Sequence, residues 1–327
     1  MQNWRIWRVA ASMTDGIIHA AALFCQRMAF ARSGRSRNTK PEERGRMDYF
    51  ISDMDGTLLD GRGCLSENTI RILRPLIEKG LHFTVATART PLSAVPLLSA
   101  LSVREPMILM NGALLYEPQE GRFFSFTGFG EAAMAVLTEA EQDGVEGMLF
   151  TAEEEMLCIY LGNVKHSMWD GYFDWEAAQI PALSRTIRSG SAASLSGKEV
   201  IYALYMDDEP KALGRMAEHL SVCQELTVDF YKDQYTKNRW CLELCSSAAS
   251  KGRAVRCLRE RIPEARFWAF GDSRNDIPLF EACDRALAVA NACEELKMLA
   301  DEVILSNTKD GVAKFVKEYG ASLALRR

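Results

Sequence analysis

From Asp48 onward, short apolar runs alternate with longer segments whose apolar residues recur every three or four positions. Tyr49 to Ser52 is too short for a helix, reads as a buried strand, and ends at a loop rich in aspartate. Glu67 to Lys79 carries Ile70, Leu73, Leu76 and Ile77, the period of a helix with one buried face, and Gly80 ends it. His82 to Ala86 predicts a second strand, Leu92 to Leu101 a helix, and Met107 to Met110 a third strand. A βαβαβ series of this kind predicts an α/β fold with a doubly wound parallel sheet.

The rhythm changes between Leu114 and about Ser247. Strand-like runs crowd together there: Gly147 to Thr151, Met156 to Leu161, Ile201 to Met206, Leu226 to Tyr231 and Trp240 to Leu244. Helical periods occupy Glu131 to Asp143 and Pro210 to Leu220, so this stretch predicts an α+β insert with a largely antiparallel sheet. Gly190, Ser191, Ser194, Ser196 and Gly197 predict a flexible connection within it. The α/β pattern then resumes with a helix at Gly252 to Arg261, a strand before Gly271, and a helix near Asp276 to Cys283. Strands at Ala286 to Val289 and Glu302 to Leu305 follow.

Composition narrows the choices. The 327 residues are 48% hydrophobic, enough for two globular cores. A net charge of -5 argues against nucleic-acid binding, which calls for a basic face. No apolar stretch approaches membrane-spanning length. Nine scattered cysteines without a Cys-x-x-Cys pair read as reduced thiols of a cytoplasmic protein. Charge is uneven, however: residues 1–46 hold nine basic and three acidic residues, and the remainder 30 and 41. That basic leader lacks the clean apolar centre of a secretory signal, since Asp15 and His19 interrupt it. Its Arg-rich, acid-poor composition fits an organellar transit peptide better than a secretory signal. The preferred reading is an over-extended start or dispensable extension before Met47, poorly ordered or partly helical.

Four short pieces carry the candidate chemistry: Asp53-Met54-Asp55-Gly56-Thr57, Ala86-Thr87-Ala88-Arg89, Ser250-Lys251-Gly252 and Gly271-Asp272-Ser273-Arg274-Asn275-Asp276. The first and last each follow an apolar strand, which is where open α/β sheets place their ligands. Asparates are also common turn residues, but capping alone does not require all four pieces in this order. Their order and spacing resemble the haloacid dehalogenase superfamily of aspartate-nucleophile phosphatases, within it the Cof-like branch, over roughly Met47 to Val316. Asn111-Gly112-Ala113 and Asp310-Gly311-Val312 are similar to further signatures of that branch. Ala88 departs from the glycine usual between the threonine and arginine of the second piece, so a small backbone adjustment is expected there.

The resemblance implies a Rossmann-like core, residues 47–115 and 248–327, with an α+β cap, residues 116–247, that selects substrate. It implies Asp53 as nucleophile and Asp55 as acid and base, with Thr87 and the main-chain N–H groups of Met54 and Asp55 holding phosphoryl oxygens. Lys251 would supply positive charge. Mg²⁺ would be held by Asp53, the Asp55 carbonyl and Asp272, with Asp276 as a further ligand or an orienting group. Asn275 would orient the loop or bind phosphate, and Asn111 would border the substrate. The implied activity is Mg²⁺-dependent hydrolysis of a small phosphate ester, such as a sugar phosphate, through an aspartyl-phosphate.

A phosphomutase shares the nucleophile and second acid, and a catalytically silent phosphometabolite-binding protein would share the pocket. An ion-pumping ATPase is disfavoured by Asp55, where such pumps carry threonine. Trp169, Tyr172, Phe173 and Trp175, interleaved with Asp170 and Asp174, suggest an aromatic platform in the cap, although cap core is the plainer reading. Lys237 and Arg239 are placed to reach an anionic substrate, or are simply solvated. Hinges are expected near Leu114 to Pro118 and Ser246 to Ser250. Deleting residues 1–46 is expected to leave turnover and thermal stability nearly unchanged. A large fall in melting temperature on deletion would move the boundary.

Overall fold

The computed structural model describes residues 47–141, 145, 147–153, 156–162, 187–233 and 238–324. In chain order the first core segment holds β1 (Asp48–Ser52), α1 (Glu67–Glu78), β2 (His82–Val85), α2 (Pro91–Leu98) and β3 (Met107–Leu109). A hairpin of β4 (Leu114–Glu117) and β5 (Arg122–Phe124) follows. The insert then holds α3 (Glu131–Ala140), β6 (Gly147–Glu153), β7 (Met156–Leu161), β8 (Ile187–Ser189) and β9 (Glu199–Asp207), and after them α4 (Pro210–Leu220), β10 (Leu226–Lys232) and β11 (Trp240–Ser246). The core resumes with α5 (Lys251–Arg261), β12 (Arg266–Gly271), α6 (Ile277–Ala282), β13 (Arg285–Val289), α7 (Glu294–Leu299), β14 (Glu302–Ile304) and α8 (Gly311–Ala324).

The core sheet has the order β14-β13-β12-β1-β2 and is parallel throughout. From the central β1 the chain steps to β2 on one side, and only after the insert returns to β12 on the other. This reversal of direction opens a crevice beyond the carboxyl ends of β1 and β12. Register pairs Ser52 with Phe270, and the Asp53 N–H donates to the Phe270 carbonyl at 2.9 Å, so both aspartate loops leave the sheet side by side.

Both faces of this sheet are buried, as parallel strands require. Phe50, Trp268 and Phe270 face α8, where Phe315 and Tyr319 pack on them; the Trp268 and Tyr319 rings are 4.6 Å apart. On the opposite face Tyr49 meets Phe267 at 5.2 Å, and the Arg259 guanidinium lies 4.6 Å above Phe267. Helices α7 and α8 add to the elements that the sequence pattern predicts. Residues expected as a third parallel strand, Met107 to Met110, join the parallel sheet only through an Ala86–Ile108 bridge. Otherwise β3 pairs antiparallel with β4, and β4 with β5. The expected cap boundary at residue 116 therefore falls within β4, and the first expected hinge, Leu114 to Pro118, coincides with that strand and the residue after it.

The insert carries a second sheet of order β10-β11-β9-β6-β7-β8, antiparallel except for the β7–β8 pair. Alternation decides its faces: Leu149, Ala203, Tyr205, Leu242 and Leu244 pack in a cluster with Leu137, Leu213 and Met216 of α3 and α4. The opposite face presents Met148, Phe150, Leu204, Met206 and Cys241, which are continuous with the core cluster. The serine-glycine connection forms a short 3₁₀ turn, Ala192–Leu195, closed by a reciprocal capping box between Ser191 and Ser194. Eight described cysteines are free thiols. Among the described residues, no helix is long and apolar enough to cross a membrane.

One backbone contact fixes where α5 begins. The turn Met110–Gly112 has φ values of 51°, 54° and 90°, and a Cβ added to Gly112 would lie 2.2 Å from the Ser250 carbonyl oxygen. Gly80, with φ of 98°, has open space instead. Gly112→Ala should therefore cost more than the roughly 1–3 kcal/mol that left-handed strain alone carries, whereas Gly80→Ala should cost only that strain. Urea unfolding of both variants checks this; equal losses would show that the approach to Ser250 is unimportant.

Candidate active site

The loop after β1 is shaped to press against the loop after β12. The Leu59 N–H donates to the Met54 carbonyl at 2.9 Å, closing a wide turn in which Gly56 has φ of 73°. A Cβ at Gly56 would lie 2.3 Å from Oδ2 of Asp272, so only glycine permits this approach. The Thr57 hydroxyl donates to Asp272 Oδ1 at 3.2 Å, and Asn291 Nδ2 donates to the Gly56 carbonyl at 2.7 Å. Met54 is fully buried, so its side chain belongs to the core beneath the loop.

Lys251 reaches this point from the first turn of α5. Ser250 caps that helix by accepting from the Arg253 N–H. The Lys251 side chain is fully buried, and its Nζ donates to Asp53 Oδ1 at 2.7 Å and to Asp276 Oδ1 at 2.6 Å. Burial disfavours its charge, but Asp276 and Asp53 outweigh this and hold the lysine pKa above its ordinary value. Burial raises the Asp53 pKa well above the usual carboxylate range; Lys251 opposes the rise, and Asp276 and Asp272 add to it.

The loop after β12 is organised by Asp276. Its second oxygen accepts from the backbone N–H groups of Asp272, at 3.0 Å, and Ser273, at 3.2 Å. Asp272 is left facing Gly56 and Thr57, and burial, followed by the Asp276 charge, pushes its pKa up to about 6. Carboxylate oxygens of Asp53, Asp272 and Asp276 lie within 4.8 Å of one another. Three acids against one ammonium leave excess negative charge in a buried place, and every donor is a hard oxygen. That suits a divalent cation with oxygen preference.

Asp55 points elsewhere. Its two oxygens accept from Nε and Nη2 of Arg89 at 2.7 and 2.8 Å, a bidentate pair across the mouth of the crevice. Thr87 is buried, its hydroxyl accepting from the Arg89 N–H at 3.1 Å. Ala88 needs no left-handed backbone, which explains why alanine fits there. Asn275 Nδ2 donates to Asn111 Oδ1 at 3.3 Å, so these two asparagines meet at the rim.

The structure thus bonds Lys251 to Asp53 and Asp276, brings Asp272 beside those two acids, and sets Asp55, Thr87, Asn111 and Asn275 around them. Two contributors escaped the sequence reading: Arg89, which grips Asp55, and Thr57, which holds Asp272. Both belong to pieces already singled out, but pairing across 34 and 215 residues leaves no local signal. Asp310 is turned away from the crevice, accepting from Ser66, Asn68 and Thr69 at the start of α1. The aromatic group Trp169 to Trp175 and Lys237 lie outside the described residues.

Known proteins match this arrangement along most of the chain. The sequence profile of the haloacid dehalogenase-like hydrolases matches residues 50–316. The chain is 24% identical over 280 residues to the 5-amino-6-(5-phospho-D-ribitylamino)uracil phosphatase YitU of Bacillus subtilis, covering 83% of this chain and 97% of that protein. It is 25% identical over 274 residues to the pyridoxal phosphate phosphatase YbhA of Escherichia coli, covering 81% and 95%. Among solved structures, TM0651 of Thermotoga maritima superposes with a TM-score of 0.64 at 26% identity, over 83% of this chain and 97% of that one. The subclass IIB sugar phosphatase BT4131 shares the fold with a TM-score of 0.61 at 20% identity, over 84% and 99%. With its parallel core, inserted cap and acid-lined crevice, the chain belongs to the haloacid dehalogenase-like hydrolase family, as a phosphoric monoester hydrolase of its Cof-like branch.

Proposed function

We propose that this enzyme is a Mg²⁺-dependent phosphatase that cleaves small phosphorylated metabolites through an aspartyl-phosphate on Asp53. The observation that carries this reading is the convergence of Asp53, Asp272 and Asp276 where β1 and β12 end, with Lys251 bonded to Asp53 and Asp276. The named phosphatase relatives, which include one for pyridoxal phosphate, support the substrate class. Asp53 and Asp272, with the carbonyl of Asp55, would hold Mg²⁺. Asp276 has both oxygens engaged and serves as the anchor for Lys251 and the loop. When bound, the ion supplies positive charge to phosphoryl oxygens.

Asp53 attacks phosphorus in line, the bond to the leaving oxygen breaks, and Asp55 gives that oxygen a proton. In the second half Asp55 takes a proton from water, which attacks phosphorus and releases phosphate and free Asp53. This is one carboxyl alternating between acid and base. The Arg89 pair favours the ionised form of Asp55, the base of the second half. Protonating the leaving oxygen requires that one of the hydrogen bonds from Arg89 to Asp55 open. Lys251 stays charged throughout and offsets the build-up of charge at Asp53.

A panel of phosphate esters assayed with Mg²⁺, and again after chelation, tests this function. Turnover should require the ion. Asp53→Asn should fall to a few per cent or less, and Asp55→Asn should lose far more on alkyl esters than on para-nitrophenyl phosphate, whose leaving group needs little protonation. Equal losses on both esters would remove Asp55 as the acid. Full turnover by Asp53→Asn, with deamidation excluded, would remove the nucleophile.

A further inference from the structure

The two loops that carry the acids are held from outside by a third segment, the turn that follows β13. Its Ala292 N–H donates to the Val289 carbonyl at 2.9 Å, which sets Asn291 inside the turn and Cys293 at the start of α7. A turn asparagine ordinarily bonds its own backbone two residues on. Asn291 instead spans two distant segments: Nδ2 donates to the Gly56 carbonyl at 2.7 Å, and Oδ1 accepts from the Asn307 N–H at 3.0 Å. Asn307, in the short turn after β14, sends its own Nδ2 to the Leu59 carbonyl at 2.9 Å. Two residues past Asn291, the Cys293 N–H donates to the Asp272 carbonyl at 2.8 Å. One turn therefore grips the loop after β1 at Gly56 and the loop after β12 at Asp272.

These are the points where the two loops meet. Asp55 and Gly56 have the backbone angles of a type II turn, φ and ψ of −71° and 126°, then 73° and −6°. Gly56 presses on Asp272, and the Thr57 hydroxyl donates to Asp272 Oδ1. The Asp55 carbonyl lies one peptide before the carbonyl that Asn291 holds. The Asp272 carboxylate belongs to the residue whose carbonyl Cys293 holds. Two of the three groups proposed to hold Mg²⁺ are thus fixed relative to each other through one short turn. Asn291 is itself exposed, so its hydrogen bonds compete with water and add little to stability. Defined aim with little packing is the character of an outer hydrogen-bond partner that orients metal ligands.

We propose that Asn291 is a positioning residue for the cation site. It sets the spacing between the Asp55 carbonyl and the Asp272 carboxylate, and so sets the affinity for the divalent ion, with Asn307 bracing it from behind. This rests on the Mg²⁺-dependent phosphatase reading and adds to it a determinant of ion affinity outside the four short pieces that carry the chemistry. Asn68 provides the comparison. Its Nδ2 donates to Asp310 Oδ2 at 2.7 Å, which ties the chain just past Asn307 to the start of α1, where Asp310 is turned away from the crevice.

Binding of Mn²⁺, followed by the EPR signal of the free ion with Mg²⁺ as competitor, tests the proposal on the full chain as wild type, Asn291→Ala, Asn307→Ala and Asn68→Ala. Asn291→Ala should weaken ion binding about tenfold or more, the usual effect of losing such a partner, while melting within about 4 °C of wild type. At saturating Mg²⁺ its KM for para-nitrophenyl phosphate should stay within about twofold of wild type, because the loss is one of ion affinity. Asn307→Ala should weaken binding about threefold. Asn68→Ala should bind the ion like wild type even where it melts lower. Affinity within about twofold of wild type in a folded Asn291→Ala would overturn the proposal. An equal loss in Asn68→Ala would also overturn it, by marking a general loosening. If Asn291→Ala does not fold, Asn307→Ala decides by the same limit. A wild type that binds neither ion and turns over esters after chelation would instead sink the Mg²⁺ reading, and this proposal with it.

Discussion

The buried ammonium of Lys251, shared between Asp53 and Asp276, is the interaction on which the rest of the site depends. Two carboxylates cannot stay ionised out of water without a counter-charge, and a lysine cannot stay charged there without acids. Removing one partner of such a group strands the others, at about 3–5 kcal/mol. The same contact joins three chain segments: the end of β1, the first turn of α5 and the loop after β12. It therefore ties the two halves of the core together across the inserted cap.

The sheet supplies the place for this contact before any side chain is considered. Because β1 pairs with β12, two loops distant in sequence emerge at adjacent strand ends. Gly56 then lets the first loop lie against Asp272, and Asp276 organises the second through two backbone N–H groups. Close packing below, between Phe50, Trp268, Phe270 and the residues of α8, makes that platform rigid. A preorganised arrangement of charge on a rigid sheet suits phosphoryl transfer, where positioning and electrostatics carry most of the catalysis.

Much of this was legible in the sequence, for identifiable reasons. Strands such as Met156–Leu161 and helices such as Pro210–Leu220 carry strong periods and clear ends, and they lie where the pattern put them. The four acid- and lysine-bearing pieces follow strands or open a helix, so their convergence follows from α/β topology. What sequence could not supply was pairing at a distance. That Met107–Leu109 leaves the parallel sheet for an antiparallel hairpin depends on a partner strand with no distinguishing local pattern. Arg89 gripping Asp55 is a choice of rotamers between residues 34 apart in sequence. The Asp310-Gly311 pair that resembles a family signature is also where α8 starts, and the pair alone does not mark a helix.

The central claim is that Asp53 itself carries the phosphoryl group. Borohydride quenching during turnover, followed by mass spectrometry of the peptide containing residue 53, tests it most directly, since hydride reduces an acyl phosphate to the alcohol. Conversion of Asp53 to homoserine is the expected result, only when a phosphate ester is present and not in Asp53→Asn. Trapping at another carboxylate, or steady turnover with no reduced residue 53 under conditions that trap a synthetic acyl phosphate, would contradict it.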